Sequence, residues 1–171
     1  MEFTRLMTED FEQVVLCSDP RVGLRAIIAM HSTVLGPAVG GCRMWNYDSE
    51  ADAVNDVLRL SRGMTFKASL AGLDWGGGKA VIIGDPKREK TTELLQRYGE
   101  FVERLGGNYV TAKDVGIGAD DLRTIKSRTR YVLGIEGDIG SSCDPSPATA
   151  HCVYEGMVAC ARKAYGARNL N

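Results

Sequence analysis

Three glycines in a row, Gly76-Gly77-Gly78, run straight into Lys79 and the apolar stretch Ala80-Val81-Ile82-Ile83. No other stretch constrains the chain as much. A glycine run lets a backbone come close to a ligand and take positive φ without steric cost. Two lysines and a carboxylate lie around it. Lys67 and Lys79 flank the glycine-bearing loop Ala71-Gly72-Leu73-Asp74-Trp75, and Asp114 follows at the end of a strand-like stretch. Two readings stand side by side. A small anionic substrate is held by one lysine while the other does acid–base chemistry, or the glycines form a tight turn before a strand with a solvated lysine.

Length and charge narrow the classes. The 171 residues fit one domain, or one domain of something larger, with enough chain to bury a core. Lys and Arg total 21 against 22 Asp and Glu, with no long block of either sign. That balance argues against electrostatic binding of nucleic acid or membrane. The five cysteines, Cys17, Cys42, Cys143, Cys152 and Cys160, show no C-x-x-C pairing and read as reduced, mostly buried thiols. His31 and His151 are far apart, so no zinc site is expected. Met1 to Glu12 lacks the apolar run of a signal peptide, and no stretch reaches membrane-spanning length. The expectation is a soluble, cytoplasmic α/β protein.

Along the chain, Thr4 to Glu12 reads as a short lead-in with one helical turn. Gln13–Cys17 and Leu24–His31 read as strands of an antiparallel hairpin turning at Asp19–Gly23. Leu35–Met44 is apolar but holds three glycines and a proline, which suits at most an irregular edge strand. Ser49-x-x-Asp52 resembles a capping box, opening a helix over 49–70. Lys79–Gly84 reads as a buried strand. Leu94, Leu95, Tyr98, Phe101, Val102 and Leu105 form a helical stripe capped by Gly106-Gly107. Tyr109–Ala112 reads as a strand leading to Asp114, Ala119–Ile125 as a helix, and Tyr131–Leu133 as a short strand. A glycine- and serine-rich loop, Gly137–Pro145, precedes a last helix. That helix has Ser146 as N-cap, Pro147 at its first position, a core face of Val153, Met157, Val158 and Ala161, and an end near Gly166. The predicted fold is α/β, a mixed sheet flanked by helices.

The chain lacks a nucleotide-phosphate cradle. Gly116-Ile117-Gly118 has Asp121 where a third glycine belongs, and Gly78-Lys79 is followed by Ala80 rather than Ser or Thr. Three candidate groups also have plain structural readings. Lys67 suits a helix C-terminus, Asp114 could cap the next helix, and Gly40-Gly41 could form a bulge. The chemistry that would use them together is specific. An α-amino-acid carboxylate needs a cation and N–H donors, which Lys67 and Gly40-Gly41 can supply. A second, desolvated lysine close to the first would have a lowered pKa, so Lys79 could act as general base. Asp114 could then carry protons to and from a substrate nitrogen.

Five stretches carry a resemblance: Leu35–Trp45, Leu60–Lys67, Gly76–Pro86, Thr111–Gly116 and Gly140–Pro147. In order and spacing they resemble the N-terminal domain of the glutamate/leucine/phenylalanine/valine dehydrogenases, closest to the leucine and phenylalanine/valine branch. The resemblance implies oxidative deamination of an L-amino acid to a 2-oxo acid and ammonia, with NAD or NADP as hydride acceptor. It further implies that Lys67 binds the substrate carboxylate with Gly40, Gly41 and Met64. Lys79 would activate water for attack on the imino intermediate, and Asp114 would handle the amine proton. A homodimer or higher assembly is implied too.

The glutamate enzymes of this family carry a lysine before the paired glycines to meet the γ-carboxylate, and here that position is Val39. A carboxylate facing Val39 would be desolvated without a partner, which favours leucine, valine, isoleucine or phenylalanine as substrate. Lys113 departs from the family's usual acidic residue or proline before the aspartate. Residues 1–171 are expected to be the substrate-binding and oligomerisation domain. A nucleotide-binding domain is expected C-terminal to residue 171, with no hydride transfer without it. The alternatives are a free-standing amino-acid-binding or assembly module, and a diverged enzyme that makes a carbon–carbon bond on an imine.

Overall fold

The hairpin predicted near the N-terminus sets the frame. In the computed structural model, which describes residues 2–6, 10–135 and 146–166, strand β2 (Gln13–Asp19) pairs antiparallel with β3 (Leu24–Ser32). Pro20–Val22 turn the chain between them, with Gly23 at φ 68° closing the turn. The Asp19 side chain is fully buried there, ion-paired to Arg21 at 2.8 Å and Arg97 at 3.0 Å. The hydrogen bond from Arg21, opposed by burial and reinforced by backbone and charge, holds the Asp19 carboxyl below the usual carboxylate range.

Around this hairpin a sheet of six strands forms in the order β1-β2-β3-β5-β4-β6. β1 is Glu2–Leu6, β4 Ala38–Trp45, β5 Gly76–Ile83 and β6 Tyr109–Lys113. Pairing is antiparallel from β1 through β5 and parallel from β5 through β4 to β6. The sheet is mixed, as expected. Alternation along each strand sends side chains to two faces. One face, with Val15, Ile28, Met44, Ala80 and Ile82, is covered by α2 (Thr92–Arg104) and α3 (Ala119–Lys126) through Tyr98, Phe101, Leu122 and Ile125. On the other, α1 (Glu50–Leu70) lays Ala53 and Val57 on Val14, Ile27, Ala29 and Val81. Ser49 accepts the Asp52 N–H at 3.1 Å, so the predicted cap opens α1.

Several expectations need correction. Thr4–Leu6 belong to a strand rather than a helical turn, because β2 offers them an open ladder edge. β4 is an interior strand, flanked by β5 and β6 and buried over Ala38–Cys42. Pro37 precedes its first residue and so removes no ladder bond from it. Val132 makes one isolated bridge to Thr111 rather than a strand.

The three glycines are strand residues rather than a turn, and none has positive φ. Gly77 shows why glycine is required. A Cβ there would overlap Thr65 Oγ1, Thr65 N and the Ser61 carbonyl of α1. The missing side chain lets the helix backbone press onto the sheet.

Residues 136–171 form a second unit, and α4 (Ser146–Tyr165) is described by itself. The Gly137–Pro145 loop lies outside the described residues. Of the core face expected on α4, Ala161 is buried while Val153 and Met157 are exposed. Cys17 and Cys42 are buried, and burial pushes each thiol up to about 12. Cys152 and Cys160 are exposed, against expectation, and Cys143 is outside the described residues. Among the described residues no helix is long and apolar enough to cross a membrane.

Gly77→Ala is expected to destabilise the fold by about 1–3 kcal/mol, the usual cost of overpacking. Urea unfolding checks this, and an unchanged midpoint would show that α1 can give way.

Candidate functional site

Lys79 is interior to β5 and 6% exposed, on the α1 side of the sheet. A buried ammonium needs a partner, and it has one. Its Nζ lies 2.6 Å from Asp114 Oδ2. Asp114 follows β6, so the two groups come from strands separated by β4.

They meet because β4 carries no side chain between them. Gly41 pairs with Ala112 of β6 and lies on the same face as Lys79, by alternation from Val39, the partner of Gly77. A Cβ on Gly41 would overlap the Lys113 carbonyl and come within 2.9 Å of Asp114 Cβ. The gap at Gly41 is the passage through which Asp114 reaches Lys79. The neighbouring glycine is tied from the other face, where the buried Tyr109 hydroxyl donates to the Gly40 carbonyl at 2.6 Å. No bulge occurs, since the β4–β5 register is the same before and after the glycine pair.

Four residues the sequence did not single out complete the cluster. Arg43 donates from Nε to Asp114 Oδ2 at 3.1 Å and from Nη1 to Asp56 Oδ2 at 2.8 Å. Asp56 also accepts from the Tyr47 hydroxyl at 2.8 Å and from Arg59 Nη2 at 2.7 Å. A signal for Arg43 was present: it stands two residues beyond Gly41, hence on the same face of β4. Asp56 has no such mark in the sequence. Burial alone would raise the Asp114 carboxyl. The hydrogen bond and charge of Lys79, the Val115 N–H and the charge of Arg43 outweigh it and hold the group below the usual carboxylate range.

The remaining candidates lie close in the fold but do not bond to the pair. Val39 is buried on the Gly41 face of β4. Met64 is half-buried and Lys67 exposed, both on the C-terminal half of α1. The Lys67 ammonium makes no ion pair among the described residues. The charge that meets Lys79 is the Asp114 carboxylate. An open depression of about 440 Å³ lies beside the cluster, lined by Arg43, Trp45, Tyr47, Asp52, Asp56 and Val115. A separate hollow of about 160 Å³, at Leu16, Arg25 and Ile27, contains none of these groups.

Among the described residues, no cluster of His, Cys, Asp and Glu could hold a metal ion. A dinucleotide does not fit the strand–glycine–helix turn at Gly116–Gly118 either. The Asp121 carboxylate already accepts the Gly118 N–H there at 2.8 Å and is paired to Lys90 at 2.6 Å. An anionic phosphate would have to displace it.

Comparison with known proteins identifies a family. Residues 11–131 match the sequence model of the Glu/Leu/Phe/Val dehydrogenase dimerisation domain. Leucine dehydrogenase of Geobacillus stearothermophilus is 52% identical over 168 residues, covering 98% of this chain and 46% of that protein. Valine dehydrogenase of Streptomyces coelicolor is 53% identical over 155 residues, covering 91% and 43%. The crystal structure of L-tryptophan dehydrogenase from Nostoc punctiforme superposes with TM-score 0.72 at 42% identity, over 95% of this chain and 45% of that one. The chain spans about half the length of the curated relatives it matches.

The ion pair predicts a pH dependence. Because the folded Asp114 pKa is depressed, its contribution to stability is fully present above the unfolded value of about 3.9 and is lost as pH falls through the folded value. Asp114→Asn leaves Lys79 buried without a counter-charge and is expected to cost about 3 kcal/mol at neutral pH. That gap should close below about pH 4. Denaturant unfolding of both proteins across pH measures it, and a gap independent of pH would contradict the pairing.

Proposed function

This chain belongs to the Glu/Leu/Phe/Val dehydrogenase family, whose dimerisation domain it carries, and from that premise we propose that it is the substrate-binding half of an amino-acid dehydrogenase. The reaction is reversible oxidative deamination of an apolar L-amino acid to a 2-oxo acid and ammonia. The observation that carries this reading is the buried Lys79–Asp114 pair, set at the glycine pair of β4.

The exposed Lys67 ammonium, which makes no ion pair among the described residues, holds the substrate α-carboxylate, with Met64 and the Gly40-Gly41 backbone beside it. Asp114, kept ionised at neutral pH, takes a proton from the substrate ammonium. After hydride loss, Lys79 acting as the neutral amine accepts a proton from the water that adds to the imino carbon, and Asp114 returns the proton it took to the substrate nitrogen, which leaves as ammonia. NAD or NADP would receive the hydride and would be held by residues other than those described. Val39, apolar and buried, favours leucine, valine, isoleucine or phenylalanine over glutamate. The working form is a cytoplasmic homo-oligomer, a dimer or larger, in keeping with the dimerisation domain.

The test is amino-acid-dependent NADH production by the whole enzyme that contains this chain. Leucine should be turned over far faster than glutamate. Lys79→Ala should lower kcat by about 10²–10⁴-fold, the usual worth of a general base. Lys67→Ala should mainly raise KM, by about 10–100-fold for a lost charge-assisted hydrogen bond. Equal rates on glutamate would overturn the substrate class, and full activity in Lys79→Ala would overturn the mechanism.

A further inference from the structure

The pair is not held by Lys79 alone. Asp114 stands at the start of a turn whose backbone is well fixed: Met44 N–H donates to the Val115 carbonyl at 2.9 Å, and Lys90 Nζ donates to the Gly116 carbonyl at 2.9 Å. Those bonds set where the Asp114 Cα lies, and the Val115 N–H also reaches its carboxylate. A second cation, from the strand in between, acts on the carboxylate itself. We propose that Arg43 is a positioning residue for the Lys79–Asp114 pair, orienting the Asp114 carboxylate from β4 while Asp56 anchors the guanidinium to α1. This rests on the function proposed above for Lys79 and Asp114.

Three observations support it. Lys79 Nζ and Arg43 Nε converge on the same oxygen, Asp114 Oδ2, at 2.6 and 3.1 Å, which fixes the carboxylate's rotation as well as its location. The other end of the guanidinium is occupied by Asp56, which two further donors hold in place. A planar fork can serve two carboxylates in a fixed geometry, whereas a lysine ammonium is a point charge that cannot reproduce it. Asp56 is also on the helix that carries Lys67, eleven residues away. At 100° per residue that is three turns and about 20°, so both lie on one face of α1. The clamp thereby fixes the helix bearing the carboxylate-binding lysine relative to the proton-transfer pair.

A role confined to gluing α1 to the sheet would make none of this electrostatic. The charged and titratable groups around Asp114 are Lys79 on β5, Arg43 and Cys42 on β4, Asp56 on α1, Tyr47 before α1, and Tyr109 and Lys113 on β6. They alternate as Lys79, Asp114, Arg43, Asp56, positive and negative in turn. Removing Arg43 and removing Asp56 should therefore act on Asp114 in opposite directions.

The test follows the Asp114 side-chain carboxyl by carbon NMR across pH in the 171-residue chain, in wild type, Arg43→Gln and Asp56→Asn. Arg43→Gln should move the midpoint up toward the ordinary carboxylate value. Asp56→Asn should move it further down, because the guanidinium charge is then no longer shared. Midpoints that stay put, or move the same way, overturn the proposal. Should Arg43→Gln not fold, Asp56→Asn alone decides: a downward midpoint supports the proposal, an unmoved or raised one overturns it. In the whole enzyme, Arg43→Lys should keep KM for leucine close to wild type while lowering kcat on the order of 10²-fold, as misplacement by about 1 Å does; an unchanged kcat overturns positioning. The titration needs no turnover. Opposed midpoints in a protein with no dehydrogenase activity would remove the proposed function and keep the clamp. Unmoved midpoints in an active dehydrogenase would remove the clamp alone.

Discussion

Everything at the site depends on one contact made across a missing side chain. Lys79 and Asp114 stand on strands that are not neighbours, and the strand between them carries Gly41 at the crossing. Any side chain there would meet Asp114 and the Lys113 backbone. Lys79 would then be an ammonium 6% exposed with no counter-charge, a state that costs several kcal/mol. The same device recurs one layer up, where bare Gly77 lets α1 press onto β5. Glycine in this sheet acts by absence of bulk, not by backbone freedom.

That distinction explains what could be read from the sequence. The triple glycine, the two lysines and the aspartate stood out, and the structure brings Lys79 and Asp114 into contact. Their local setting was harder to see. Glycines beside apolar residues read as turns or edges because most are, and here both runs are interior strand. A propensity argument counts the cost of glycine in a strand. It has no way to count the neighbour that fills the space. Arg43 and Asp56 escaped for another reason: a link from strand to helix shows up only once the two are packed. The helices were easier, since α1, α2 and α3 each follow an apolar stripe that acts within a few residues, with a cap signal beside α1 and α2.

The cluster also divides labour in a way that suits the family reading. Lys79 and Asp114 neutralise each other inside the fold, while the exposed Lys67 makes no ion pair among the described residues.

The most direct measurement is a crystal structure of Gly41→Ala. If the pair depends on that gap, Lys79 Nζ and Asp114 will be separated beyond salt-bridge distance while the strands keep their register. If the contact survives at 2.6 Å beside the added methyl group, the gap is not what joins them, and this account of the site is wrong.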